Sequence, residues 1–149
     1  MSFTGEYINT LDQKKRLSVP AKFSKSLNPI NDKTFVVCKG FDPCLLLYPI
    51  EEWKIVEEQL SSLSSIKNKH RNFIRNIVRH ANYVKYDAQG RIAIQDILLK
   101  YSNIKKEVIV IGMLKKIELW GPDSLDNFEN QNKKLNDDDF EVLADKINF

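Results

Sequence analysis

Apolar residues along this chain fall into short alternating runs and longer helical stripes, and most of these come twice. From Thr4 to Leu11 a weak alternation predicts a strand, and Leu17 and Val19 beyond a polar turn predict its return, so that the two form a hairpin. Pro20 closes that hairpin, Ala21 to Leu27 suits a short helix, and Asn28-Pro29-Ile30-Asn31-Asp32 is a turn signal. Phe35 to Cys38 and Leu45 to Tyr48 predict further strands joined through Gly40-Phe41-Asp42-Pro43. Farther along, Tyr83 to Ile94 repeats the hairpin, Asp96 to Tyr101 the short helix, and Val108 to Ile111 with Ile117 to Trp120 the later strands.

The helical stripes follow each set. Pro49 before Ile50-Glu51-Glu52-Trp53 marks a helix start, with acids where the helix dipole favours them and Trp53, Val56 and Leu60 on one face. Serines from Ser61 to Ser65 interrupt the chain. In a second helix Phe73, Ile74, Ile77, Val78 and Ala81 share one face, while Arg71, Arg75 and Arg79 recur every fourth residue on another. Pro122-Asp123-Ser124-Leu125 opens a last helical stretch, broken by an Asn- and Asp-rich segment through Asp139, after which Phe140, Leu143, Ala144 and Ile147 line a terminal amphipathic helix.

The repetition reaches individual residues. Asp12-Gln13-Lys14-Lys15-Arg16-Leu17-Ser18-Val19 and Asp87-Ala88-Gln89-Gly90-Arg91-Ile92-Ala93-Ile94 share one pattern: Asp, three mostly polar residues, Arg, then alternating apolar positions. Asp12 and Asp87 stand 75 positions apart but Gly40 and Gly112 only 72, so a connection in the second copy is expected to be three residues shorter. The 149 residues thus divide into a first module over 1–65, a connecting helix over 66–81, a second module over 82–128 and an acidic helical tail over 129–149. Modules this small bury too little surface to be comfortable alone, so each is expected to pack intimately on the other or on further subunits.

Charge is unevenly placed. Net charge is only +3, yet between 66 and 106 ten Lys or Arg face two Asp, whereas from 117 onward three Lys face nine acids. The centre suits a polyanion and the tail does not. No run approaches the ~20 apolar residues of a membrane span, and the first residues lack a secretory layout. The expectation is a cytoplasmic protein with no membrane partner. Cys38 and Cys44 sit on or beside apolar runs without a Cys or His cluster, which favours buried free thiols over a disulfide or a zinc site.

The Asp-x-x-x-Arg turns carry the candidate chemistry. Asp87 can accept from backbone donors just ahead of it, Gly90 can take the positive φ of a tight turn, and Arg91 leaves the turn beside the carboxylate. Lys15 stands where the first copy would otherwise have glycine. Keeping the same turn there costs ~1 kcal/mol, so that copy either turns differently or bears the strain, while gaining a charge. One reading is two ordinary β-turns with incidental ion pairs. The other is a cationic ribbon that enters a DNA groove, in which Lys14, Lys15, Arg16, Lys22, Lys85 and Arg91 are the DNA-binding residues and Asp12, Asp87 and Gly90 form the turns. The Arg71, Arg75 and Arg79 stripe is either a second backbone contact or a solvated helix face whose opposite, apolar side packs. His70 and His80 have no carboxylates in step, and the chain has neither a phosphate-cradling Gly loop nor a nucleophile elbow. No catalytic residue, metal, cofactor or small-molecule substrate is expected.

At these residues the chain resembles the MraZ family, bacterial proteins with two AbrB-like (SpoVT-AbrB) modules, each marked by an Asp-x-x-x-Arg signature. The likeness extends to Gly5-Glu6-Tyr7, Leu17-Ser18-Val19-Pro20 and Ile117-Glu118-Leu119-Trp120. It implies a mainly β fold with helices, a pseudo-twofold double-split β-barrel of swapped hairpins, assembled into ring-shaped homo-oligomers. It further implies a transcriptional regulator of the division and cell-wall gene cluster, which binds short direct repeats in double-stranded DNA through Arg16 and Arg91. Lys15 departs from the family's usual glycine. An antitoxin-like or architectural DNA-binding role is the alternative, with the acidic tail facing a partner.

Overall fold

The computed structural model describes residues 1–131 and 135–147. Residues 132–134, part of the Asn- and Asp-rich segment through Asp139 expected to break the last helical stretch, and the last two residues of the acidic tail lie outside the described residues. The strands are β1 (Phe3–Thr10), β2 (Arg16–Ser18), β3 (Thr34–Lys39), β4 (Leu45–Pro49), β5 (Asn82–Lys85), β6 (Arg91–Ala93), β7 (Glu107–Leu114) and β8 (Lys116–Trp120). The helices are α1 (Ala21–Ser26), α2 (Ile50–Ser61), α3 (Asn68–Val78), α4 (Asp96–Ser102), α5 (Pro122–Gln131) and α6 (Asp137–Lys146). The fold is mainly β with helices, two tandem modules sharing antiparallel sheets.

Six strands form one sheet in the order β1-β7-β8-β4-β3-β5, and β2 with β6 forms a second sheet. This corrects the expected hairpins. β1 does not pair with β2 but with β7, in register from Phe3 opposite Leu114 to Thr10 opposite Glu107. Likewise β5 pairs with β3, and the short β2 pairs with β6, Leu17 opposite Ile92. Length decides the choice: β7 offers β1 eight paired positions, whereas β2 has three residues in all. Each module therefore completes its sheet with a strand of the other. The pairings repeat with the modules exchanged, since Phe35 meets Val84 as Val108 meets Asn9.

Register also corrects the matching of the glycines. Leu17 and Ile92 correspond at 75 positions, Phe35 and Val108 at 73, and Leu46 and Glu118, which face each other, at 72. The shortening thus falls in two places, before β7 and in the β7–β8 turn, and Gly112 corresponds to Lys39 rather than to Gly40. The two glycines serve different ends. A Cβ on Gly112 would lie 2.5 Å from the backbone of Phe3 and Thr4, so glycine there permits β1 to approach, while Gly40 closes the β3–β4 turn by donating to the Cys44 carbonyl at 2.8 Å.

Both faces of the central strands are covered, which explains their unbroken apolar runs. Phe35, Val37, Leu45 and Leu47 enter a core with Leu17, Ile92, Leu98, Val108, Val110, Ile117 and Leu119, drawn from both modules. Phe23 anchors α1 in it, with Phe3 and Tyr7 edge-on at ring distances of 5.4 and 5.3 Å. On the opposite face Val36, Cys38, Cys44, Leu46, Trp53 and Trp120 form a second core beneath the helices. Cys38 and Cys44 are buried and free, and burial pushes the Cys38 thiol up to about 12. Asn31, fully buried, accepts from the Glu51 backbone N–H at 2.9 Å and so ties down the start of α2.

The packing of α3 departs from expectation. Its apolar face was expected to be covered, yet none of its residues is buried; Phe73 is 43% exposed, stacked on Phe41 at 6.1 Å. Only the Ile77 side of the helix, with Ala81 beyond its end, reaches the second core.

Candidate nucleic-acid interface

Both Asp-x-x-x-Arg segments fold into the same turn. In the first, Asp12 Oδ1 accepts from the backbone N–H groups of Lys14 at 2.8 Å and Arg16 at 2.9 Å, while Oδ2 accepts from Arg16 Nε at 2.7 Å. In the second, Asp87 Oδ1 accepts from Gln89 at 2.9 Å and Arg91 at 3.0 Å, and Oδ2 from Arg91 Nε at 2.9 Å. Each carboxylate thus organises two backbone donors and one guanidinium. These bonds hold both carboxyls below the usual carboxylate range, the Arg16 and Arg91 backbone N–H groups being the largest cause at their respective sites.

Lys15 keeps the turn that glycine makes in the second copy, with φ of 59° against 78° at Gly90. The prospect of a different turn there is therefore set aside, and the reason lies in the other module. The Lys15 carbonyl accepts from Ile94 N–H at 3.0 Å, as the Gly90 carbonyl accepts from Val19 N–H at 2.9 Å. Relaxing Lys15 to negative φ would leave the Ile94 N–H without that acceptor, at the edge of the core.

The β2–β6 pairing sets the two turns side by side. Arg91 Nη1 lies 3.9 Å from Asp12 Oδ2, so charges from both modules meet. The Arg16 and Arg91 side chains are 30% and 25% exposed, pressed against the turns without being enclosed. Arg91 Nη2 also donates to Gln89 Oε1. Among the described residues no hydrogen bond engages the Nη atoms of Arg16.

Lys14, Lys15 and Lys22 are exposed. Lys85 ends β5 two residues before Asp87 and pairs with Asp32 at 3.2 Å on the surface. The structure also adds cations that the sequence reading did not single out. Lys100 and Lys105 line a depression of about 330 Å³ together with Lys15. Their charge was visible in the basic centre of the chain, but their place beside Lys15 follows only from the exchange of strands between modules. The Arg71, Arg75 and Arg79 stripe is exposed, Arg71 being tied to the Ser65 and Ile66 carbonyls and Arg75 to Asn72.

No helix among the described residues is long and apolar enough to cross a membrane. The family model described as "MraZ protein, putative antitoxin-like" matches residues 2–76 and again 77–146. A Clostridium tetani protein named transcriptional regulator MraZ is 37% identical over 145 residues, covering 97% of this chain and 96% of that protein. Proteins of the same name from Natranaerobius thermophilus and Pediococcus pentosaceus are 36% and 37% identical, with 97% and 96% of this chain covered and 96% and 97% of theirs. With its two signature turns and matches of this extent, the chain belongs to the MraZ family.

Proposed function

We propose that this protein is a DNA-binding transcriptional regulator that reads short direct repeats in duplex DNA through its paired Asp-x-x-x-Arg turns. The observation that carries the reading is the use of Asp12 and Asp87 to hold Arg16 and Arg91 by Nε. A guanidinium held that way loses little freedom on binding and keeps Nη donors for a base edge or a phosphate. Lys14 and Lys15 in the first turn and Lys22 on α1, all exposed, supply sequence-independent phosphate contacts. Lys85 joins them by leaving Asp32, since an exposed ion pair is worth only about 0–1 kcal/mol.

The reading includes a pseudo-twofold, double-split β-barrel of swapped hairpins, supported by the strand pairings exchanged between modules. It also includes a ring-shaped homo-oligomer, in which translated copies of the turns meet translated repeats and raise affinity through effective concentration. It assigns the protein to the cytoplasm and nucleoid, with the division and cell-wall genes as its target, and involves no catalysis.

Electrophoretic mobility shifts on the gene's own upstream repeats test the reading. Binding should be lost in Arg16→Ala and weakened in Arg91→Ala, each bidentate base contact being worth about 1 to 3 kcal/mol. Sequence-blind binding that tolerates both changes would favour the architectural role instead, and a co-purifying small toxin would favour the antitoxin role.

A further inference from the structure

The helix pairs that follow β4 and β8 hold the same place in their modules, α2 with α3 in the first and α5 with α6 in the second. Their outer helices are opposite in charge. From 66 to 80 the chain carries five Lys or Arg and no acid; from 135 to 147 it carries five acids and Lys146 alone. Spacing matches as well. Arg71, Arg75 and Arg79 step by four beside Phe73 and Ile77, and Asp137, Glu141 and Asp145 step by four beside Phe140, Ala144 and Ile147.

Both helices leave much of their apolar stripes open, α3 covering only its Ile77 side. No residue of either is buried, and Phe140, Leu143 and Ile147 are 60%, 47% and 68% exposed. Beside α3 runs a groove of about 370 Å³ between that helix, α2 and the β3–β4 hairpin, lined by Phe41, Tyr48, Trp53, Val56, Phe73 and Ile77 among others. Phe73 also borders a shallower depression flanked by Lys69, Arg75 and Arg79. The groove has Lys39 and Lys116 in its own lining and meets the arginine-flanked depression at Phe73, so an apolar slot with cations on both sides fits an amphipathic helix that is acidic on its flank. Within its own chain α6 takes no part in the main packing contacts between described elements.

We propose that α6 of one copy docks in the α2–α3 groove of the next copy, its Phe140, Leu143 and Ile147 side entering the slot and its acids facing Arg75 and Arg79. The contact joins unlike surfaces head to tail, the type of interface from which closed rings are built. It rests on the reading of this protein as an oligomeric regulator and supplies that oligomer with its contact.

Light scattering after size exclusion tests it on the full chain. Arg75→Glu with Arg79→Glu, and separately Glu141→Arg with Asp145→Arg, should each dissociate the assembly to single chains, and mixing the two variants should restore it, because each then meets an opposite charge. Reversals that leave the wild-type size, a mixture that stays dissociated, or a wild-type chain that is itself monomeric would overturn the proposal. Should the reversals unfold the chain, Phe73→Cys with Leu143→Cys under oxidation decides: a ladder of linked chains is expected, and an intrachain bond or no bond overturns it. Failure of the regulator reading is seen separately, as a wild-type assembly that forms normally and ignores upstream DNA.

Discussion

Arg91 lies between two carboxylates: Nε is 2.9 Å from Asp87 in its own turn, and Nη1 is 3.9 Å from Asp12 in the other module. The turns are therefore one electrostatic unit, and Asp12 helps to position both arginines. Asp12→Ala should weaken DNA binding through Arg16 and Arg91 together. In a double-mutant cycle on operator DNA, Asp12→Ala with Arg91→Ala should lose less than the sum of the single losses. Strict additivity would show that the turns act independently.

Lys15 holds a strained backbone for the sake of a charge. With φ at 59°, its Cβ crowds the chain where glycine would not. Lys15→Gly should raise stability by about 1 kcal/mol, read as a higher denaturant midpoint, because the second copy makes the same turn with Gly90. The same change removes one cation, so the slope of log affinity against log salt should become shallower by about 0.9 if Lys15 touches a phosphate. A more stable protein with an unchanged salt slope would remove Lys15 from the interface.

How far the sequence foretells this structure depends on what kind of information each feature needs. The duplicated turn was legible because its bonds are local: Asp, two backbone donors and Arg all lie within five residues. Strand positions were legible from apolar periodicity. Strand partners were not, since alternation fixes which face of a strand is buried and says nothing about the neighbour across the hydrogen bonds. That gap placed β1 against β2 rather than β7. It also hid Lys100 and Lys105, which come near Lys15 only through the pairing of opposite modules. The open face of α3 escaped for a related reason, because an apolar stripe shows that something should cover it without showing what.

Leu17 and Ile92 face each other across the β2–β6 pair, both essentially inaccessible, directly beneath the two arginines. Truncating Leu17 to Ala should cost about 2 to 5 kcal/mol, the range for a buried leucine whose site collapses only partly. Thermal midpoint and operator affinity should fall together, since the same residues space the turns. Ile30→Ala is the control: that side chain is 74% exposed, and its loss should change stability by less than about 0.5 kcal/mol. A Leu17→Ala protein as stable as wild type would contradict a core shared by both modules.

Acid should loosen the turns through Asp12 and Asp87, and the sign follows from the direction of their shifts. Both carboxyls sit below their ordinary value of 3.8 in the folded chain, chiefly because backbone N–H groups donate to the ionised form. The unfolded chain therefore takes up protons first as pH falls, so the stabilisation from each group is complete above the ordinary carboxylate value and is lost as pH drops through the lower, folded one. Melting curves between about pH 7 and about pH 2 should accordingly fall more steeply in wild type than in Asp12→Asn with Asp87→Asn. The variant should already be less stable at neutral pH, because an amide supports the guanidinium more weakly than a carboxylate does. Its deficit should shrink as the wild-type carboxylates become protonated. Parallel acid limbs for the two proteins would mean that neither carboxylate is linked to folding, and the turns would then owe their shape to the strand pairing alone.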